Sequence, residues 1–490
     1  MQERNKSMDE RARIPVSLPR DNPTQSYWQD PPDAIADLRT TDELPEFADV
    51  VIIGSGITGA AVAWHLLQNE PVDAAPGVER RTAKKIVMLE ARQACSGATG
   101  RNGGHTKAAS YRSFSEHATS LGTPAAVKIA QLELANIQAV HAFAQAHNID
   151  CDLNPCDTID IIYDKSHWDH AQKTVAEMRE AMPEGDPAAQ YTFHTPDQVR
   201  EQFHCHDSIY EGNLERVYGG VSYVAGSLSG YKLGIGVLKL CLAKGLNFQT
   251  NTPAVALRQT QPSEPHSSWE VDTPRGTITA KQVVLATNGY TAHLVPRLQG
   301  VIMPFRGQIT AQRPGSAMPH SGSLPTTYSF IYEKGYEYMI PRPAGLRFAG
   351  DIVIGGGLLR LPDDGLQEYG TTDDTTLNEA VSAYLRETTP RYFGPDWGED
   401  DPAGRVRKEW TGIMGTSVDE RPLVGEMLGE EGLWMSCSFQ GHGMVLCWMC
   451  AKALVDMMEG RDGDELEGWF PDAFRVTEER LSLRFSGRST

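Results

Sequence analysis

The stretch that most constrains the fold is residues 48–59, ADVVIIGSGITG. Residues 49–53 are β-branched and uncharged after the first position, as in a strand buried on both faces of a parallel sheet. Gly54, Gly56 and Gly59 follow in GxGxxG spacing, with Ser55, Ile57 and Thr58 between them. The first glycine suits a tight turn, the second lets backbone approach a pyrophosphate, and the third lets the next helix pack closely on the strand. That helix, predicted over 58–68 with Ala61, Trp64 and Leu67 on one face, points the partial positive charge of its N-terminus at the phosphates.

A second strand is predicted over 85–91, KIVMLEA, and it carries Glu90. An acid there accepts hydrogen bonds from ribose hydroxyls and repels a 2′-phosphate. Glu90 lies 31 residues past Gly59, where about 20 is usual; the excess is the polar segment 69–84, read as a surface insertion. The context favours a dinucleotide over an accidental glycine turn.

A chain of 490 residues can bury a large core, and two interleaved domains are expected. The net charge of −19 disfavours nucleic acid and anionic membrane as partners, since both need a basic face. No apolar run approaches the ~20 residues of a membrane span, and the first 20 residues resemble no secretory signal, so a soluble cytoplasmic protein is expected. The eight scattered cysteines form no disulfide framework. Cys447 and Cys450 fall in a predicted helix without a second ligand pair, which favours packing over redox or zinc roles.

Residues 1–47 read as an arm docked through Tyr27 and Trp28. Residues 92–105, RQACSGATGRNGGH, are too glycine-rich for ordinary core; a plain surface loop is the alternative. Small residues there present backbone N–H groups to an anion or a planar ring, and Arg101 supplies a fixed charge. A long helix is predicted over 122–148, with Thr123 as cap, Pro124 at its first position, and Val127, Ala130, Leu134, Ile137 and Ala144 along one face. Residues 281–286 read as another buried parallel strand, ending at Ala286, Thr287 and Asn288 on a ligand crevice. Residues 304–313, 332–342 and 346–350 alternate like antiparallel strands.

GxGxxG with Glu90, SGATGRNGG, LATNGY, PFRGQ and a C-terminal FQGHGM, all in order across about residues 48–460, resemble the FAD-dependent amine and amino-acid oxidases related to D-amino-acid oxidase and glycine/sarcosine oxidase, nearest the γ-glutamylputrescine oxidase-like fungal branch. The resemblance implies an α/β fold in which a Rossmann-like FAD-binding domain of the glutathione-reductase type (48–115, 211–300, 405–470) is interleaved with an antiparallel-sheet substrate domain (116–210, 301–404), followed by a tail (471–490). It implies that Gly54, Ser55, Gly56, Ile57, Thr58 and Gly59 hold the FAD pyrophosphate and Glu90 the ribose. Ala91, Arg92, Ser96, Gly97, Ala98, Thr99, Arg101, Asn102, Gly103, Gly104 and His105 line the phosphates, ribityl chain and ring. Val255 meets the adenine, and Ala286, Thr287, Asn288 and Gly412 lie on the crevice. Gly441, His442, Gly443 and Met444 bring a helix N-terminus to the pyrimidine edge, where reduced flavin carries negative charge.

Two departures stand out. The lysine that sarcosine-oxidase-like members carry two positions after GHG is Val445 here, and the cysteine that tethers FAD in them falls at Gly412, leaving Cys437, Cys95 and His105 as conceivable tethers. The implied reaction oxidises the C–N bond of a small-molecule amine to an imine, with oxygen as acceptor; a dehydrogenase, or a flavin-binding biosynthetic or non-catalytic protein, is the alternative. Tyr336 and Tyr338, two apart on a strand, share a face that suits an amine, though such spacing is common in ordinary sheets. Arg347 falls where those members place an oxygen-activating lysine, with an exposed strand arginine as the alternative, and His442 and the helix dipole take over from the missing lysine. Trp410 caps the pocket or belongs to the core.

Overall fold

The computed structural model describes residues 8–68, 84–260, 268–319 and 324–485. The expected insertion lies, but for residue 84, outside the described residues.

Two sheets organise the chain. In the first, Phe47–Ile53 lies between parallel neighbours Ile86–Leu89 and Gly276–Leu285, with Asn247–Gln249 beyond Ile86–Leu89. The second half of Gly276–Leu285 pairs in parallel with Leu433–Cys437, and its first half turns back on Trp269–Thr273. Ile86–Leu89 is buried throughout, as expected of a strand covered on both faces. Helices Ile57–Gln68, Gly230–Ala243 and Cys447–Met458 pack together on one face, and a cluster including Ala292, Leu298 and Val301 covers the other.

The second sheet runs Val406–Ser417, Ile302–Gln312, Ile352–Gly355, Gly335–Pro341, Thr327–Tyr332, Asn154–Ile162, Gly219–Ser227, His105–Thr106. Its pairs are antiparallel except Thr327–Tyr332 on Asn154–Ile162. On Gly335–Pro341 the alternation separates Tyr336 and Tyr338 from Glu337, which is fully buried and accepts the hydroxyls of Tyr384 and Tyr392, each at 2.8 Å, from helix Glu379–Phe393.

Three expectations change. His105–Thr106, Gly219–Ser227 and Val406–Ser417 belong to the second sheet, although they fall in the segments 48–115, 211–300 and 405–470 expected to form the FAD-binding domain. Residues 346–350 are a turn, not a strand: Pro343, Gly345 and Gly350 break the chain, Phe348 takes φ +59°, and the strand is Ile352–Gly355. Helix Thr123–Ala146 is capped by Gly122, and its buried stripe includes Glu133 and Asn136.

The arm docks as expected. Trp28 Nε1 donates to Asn102 O at 2.6 Å, and Tyr27 stacks on Trp410 at 6.1 Å. Burying aromatic side chains this fully contributes about 2 kcal/mol each. Trp410 itself is core, fully buried and donating to Arg101 O. Among the described residues no helix is long and apolar enough to cross a membrane.

Candidate active site

A cavity of about 1390 Å³ runs between the two sheets, from the C-terminal end of Phe47–Ile53 to the face carrying Tyr336 and Tyr338. The glycine turn at its first end is shaped by close approach. A Cβ on Gly54, whose φ is +106°, lies 2.6 Å from Ala286 O, and one on Gly59 lies 1.9 Å from Gly54 O. Only glycine allows this turn and this strand–helix contact. Gly59 therefore packs helix on strand and does not itself line the cavity.

Ser55, with Gly54, Gly56, Ile57 and Thr58, lines that end. The Ser55 amide and hydroxyl donate to Glu90 Oε2 at 3.1 and 2.6 Å, and the Arg92 amide donates to Oε1 at 3.0 Å. A carboxylate has about four acceptor positions, so Glu90 keeps capacity for a hydroxyl from the cavity. Ala91, Gly97, Ala98, Thr99, Asn102, Gly103, Gly104 and His105 continue the wall, with Ala286, Thr287, Asn288 and Gly412 across it. Asn288 Oδ1 accepts the amides of Ser438 and Phe439, which fastens this strand end to the segment bearing Gly441, His442, Gly443 and Met444. That segment is a 3-10 turn, Gly443–Val445, leading into helix Cys447–Met458. Bare backbone, a helix start, an acid at the end of the second strand and a second helix start together fit an extended dinucleotide.

Several expected contacts fall elsewhere. Arg92 and Arg101 touch the cavity, but their guanidinium groups are committed to the protein: Arg92 pairs with Asp374 at 3.0 and 3.1 Å, and Arg101 donates to Ser96 O, Thr24 O and Thr411 O. Burial holds Arg101 down to about 10. Ser96 lies behind the wall, where its carbonyl receives both arginines. Val255 is off the cavity and exposed, its amide on Asp272 O; Ala254 lines the cavity instead. Within the PFRGQ motif, Arg306 is paired with Glu368, whereas Gln308 reaches the cavity. A Cβ on Gly412 lies 3.0 Å from Arg101 Cβ, so this position is closely packed as well as unable to tether. Cys437 and Cys95 are buried off the cavity; Cys447 lines it, with its thiol pushed up to about 12 by burial. Among the described residues no cluster suits a metal ion.

Arg347 is exposed, donates to Asp30 O at 2.8 Å and lies away from the cavity, because the chain turns there. The cavity's cations come from the segment after His105–Thr106. Lys107 is held by Asp160 and Ser329, and Asp160 also accepts Tyr111 and Tyr223 at 2.8 and 2.9 Å. Burial lowers Lys107 to about 8 despite Asp160. The Arg112 guanidinium lies 4.0 Å from the centre of the Tyr336 ring and makes no hydrogen bond or ion pair with any described residue. Tyr338 packs edge-on at Gly103, where a Cβ would come 2.4 Å from its Cε2.

Two histidines of the cavity, His105 and His442, favour the neutral form. His105 is pushed well below its ordinary value by burial and by Lys107, and its Nε2 sits 2.5 Å from Thr327 Oγ1. His442 is lowered by burial, and its Nδ1 donates to Gln440 O at 3.1 Å, which leaves Nε2 as an acceptor. His442 therefore replaces no missing cation, contrary to the role expected of it.

Sequence reading passed over Lys107, Arg112 and Glu133. The first two lie just past a motif that ends in conspicuous glycines. Glu133 carried a signal, an acid four residues from Ile129 and Ile137 on a helix stripe that is otherwise largely apolar.

A family model described as DAO, FAD dependent oxidoreductase, matches residues 49–457. The chain is 22% identical over 453 residues to the gamma-glutamylputrescine oxidoreductase of Escherichia coli strain K12, covering 89% of each protein. It is 27% identical over 194 residues to the glycine oxidase of Pseudomonas aeruginosa, 39% of this chain and 45% of that one. The solved structure of glycine oxidase from Geobacillus kaustophilus superposes with a TM-score of 0.65 at 18% identity, over 88% of this chain and 99% of that one.

Proposed function

The chain belongs to the DAO family of FAD-dependent oxidoreductases, and from that premise we propose that it oxidises the C–N bond of an amine or amino-acid derivative to an imine, with oxygen as acceptor. The cavity carries this reading: one continuous space joins a bare glycine turn to an aromatic, charged chamber. In it, Gly54, Ser55, Gly56, Ile57 and Thr58 hold the pyrophosphate, Glu90 the adenosine ribose, residues 97–104 the ribityl chain and ring, and residues 441–444 the pyrimidine edge.

Bound FAD supplies the electron sink for the carbon beside the nitrogen. The chain's own residues do the rest. Tyr336 and Tyr338 confine the amine between aromatic surfaces, and Ile162, Ile331, Leu358 and Leu359 exclude water. The amine must react uncharged, and the free Nε2 of His442, held neutral by burial, accepts a hydrogen bond from the N–H of the uncharged amine and so favours that form. Arg112, stacked on Tyr336 with its N–H groups free, receives an anionic group of the substrate, which favours an amino-acid derivative over a plain alkylamine. Lys107 keeps a fixed positive charge in the chamber below a pH of about 8 and favours reduction of oxygen to an anion there. The imine is hydrolysed to a carbonyl and an amine, and oxygen leaves as hydrogen peroxide.

The test is a panel of amines and N-alkyl amino acids offered to the FAD-loaded chain. Peroxide appearing in step with imine or carbonyl supports the oxidase. Turnover only with an added dye under nitrogen replaces oxygen by a carrier, and no turnover in either assay overturns the proposal.

A further inference from the structure

Glu133 is 7% exposed, lines the cavity and sits on the buried stripe of helix Thr123–Ala146 among Ile129, Asn136, Ile137 and Val140. Its neighbour one turn on, Asn136, has both ends of its amide used: Nδ2 donates to Met444 O at 3.2 Å, and Oδ1 accepts the Met449 amide at 3.0 Å. This helix face therefore abuts the Gly443–Val445 turn at the pyrimidine end of the cavity. Glu133 is different. The Ser110 hydroxyl donates to its Oε2, Oε1 has no partner among the described residues, and no lysine, arginine or histidine comes within ion-pair distance.

A buried carboxyl without a counter-charge costs several kcal/mol when ionised. Every other fully buried acid near the chamber is compensated: Asp160 by Lys107 and two tyrosines, Asp374 by Arg92, Glu337 by two tyrosine hydroxyls. Burial alone moves Glu133 to about 7, with only Ser110 opposing. Such an isolated group on the wall of a ligand cavity is a candidate for ligand contact. The sign of its charge is informative, because the position two after GHG is Val445, and among the described residues no cation pairs with this acid.

We propose that Glu133 binds a second amino group of the substrate, as an ammonium, so that the compound oxidised is a diamine or an amino acid with a further amino group. This deepens, and rests on, the amine-oxidation reading. Ser110 positions the carboxylate from one side, and two residues further along the same 3-10 turn Arg112 stacks on Tyr336. The turn Ser110–Arg112 thus carries both the group that holds the cation-binding acid and the group that receives an anion.

Two matched pairs test this, diaminobutane against butylamine and ornithine against norvaline, each differing only by one terminal amino group. Binding to the FAD-loaded full chain is followed by the shift of the visible flavin band at about pH 8, where Glu133 is ionised. In at least one pair the compound with the extra amino group should bind about tenfold tighter, and Glu133→Gln, which preserves shape and the Ser110 bond, should reduce that ratio to about twofold or less. Ser110→Ala, which frees the carboxyl without removing it, should leave an intermediate ratio and guards against a misfolded first variant. Equal affinity within both pairs, or a preference that survives in Glu133→Gln, overturns the assignment while leaving amine oxidation standing. If none of the four compounds shifts or bleaches the flavin band and no amine of the wider panel does so, the amine reading fails and this inference with it.

Discussion

The two ends of the cavity solve opposite problems. At the glycine turn the wall is bare backbone, and the arginines nearby are occupied with the protein itself, Arg92 and Arg101 with Asp374 and the carbonyls of Ser96, Thr24 and Thr411, while Glu90 is held by Ser55 and keeps one acceptor position for the cavity. At the chamber the wall is side chains, and two of them, Arg112 and Glu133, keep hydrogen-bonding capacity that the described residues do not use. Residue type alone does not distinguish these cases. An arginine in a glycine-rich segment and an arginine seven residues past it look alike in sequence, yet the first clamps the arm and the second faces a ligand space.

The sharpest break comes from the first end. Gly59→Ala puts a carbon 1.9 Å from Gly54 O, and a forced separation of strand and helix should cost more than about 4 kcal/mol. The expected outcome is loss of soluble folded protein or of retained FAD, read by thermal melting and visible absorbance. Asp374→Asn comes next. It leaves two buried guanidinium groups without their carboxylate, and about 3–5 kcal/mol of stability should go, with the arm released to proteolysis ahead of the rest.

Arg112→Met tests the other end. No partner is left unpaired inside the protein, so melting should move little, while affinity for amines carrying a carboxylate should fall by about 2 kcal/mol, near thirtyfold, and affinity for their amides should not. A smaller effect follows from Glu133. Its native value of about 7 lies above the unfolded 4.5. The folded chain therefore binds the extra proton between those values, and stability from this group is present below about pH 4.5 and lost as pH rises through 7. Glu133→Gln should gain on the parent over that window by at most about 3 kcal/mol, read by chemical denaturation at several pH values. The smallest expected change is Arg347→Gln, a surface position whose guanidinium donates to Asp30 O and lies over the Phe348 ring, with stability within about 0.5 kcal/mol and turnover unaltered.

The contrast also explains what the sequence made legible. Glycine spacing is a local signal with a steric cause, so the turn at Gly54, the helix behind Gly59 and the strand ending at Ala286 were readable without partners. Periodicity marks the helix Thr123–Ala146, but alternation over 346–350 does not make a strand, because Pro343, Gly345 and Gly350 turn the chain there. The pairing of Arg92 with Asp374 spans 282 positions, and no local pattern announces it. Strands Gly219–Ser227 and Val406–Ser417 read like their neighbours in sequence, and only their hydrogen-bond partners assign them to the second sheet. Glu133 was visible as an acid on an apolar stripe; that it lacked a cation was not.

The division of labour between the two ends is tested most directly by one spectrum, the visible absorbance of desalted chain with and without saturating amine, recorded for the parent, Gly59→Ala and Arg112→Met. The account predicts a flavin band that the amine shifts in the parent, no band in Gly59→Ala, and an intact band that a carboxylate-bearing amine no longer shifts in Arg112→Met. A Gly59→Ala chain that keeps its flavin, or an Arg112→Met chain that loses it, contradicts the account.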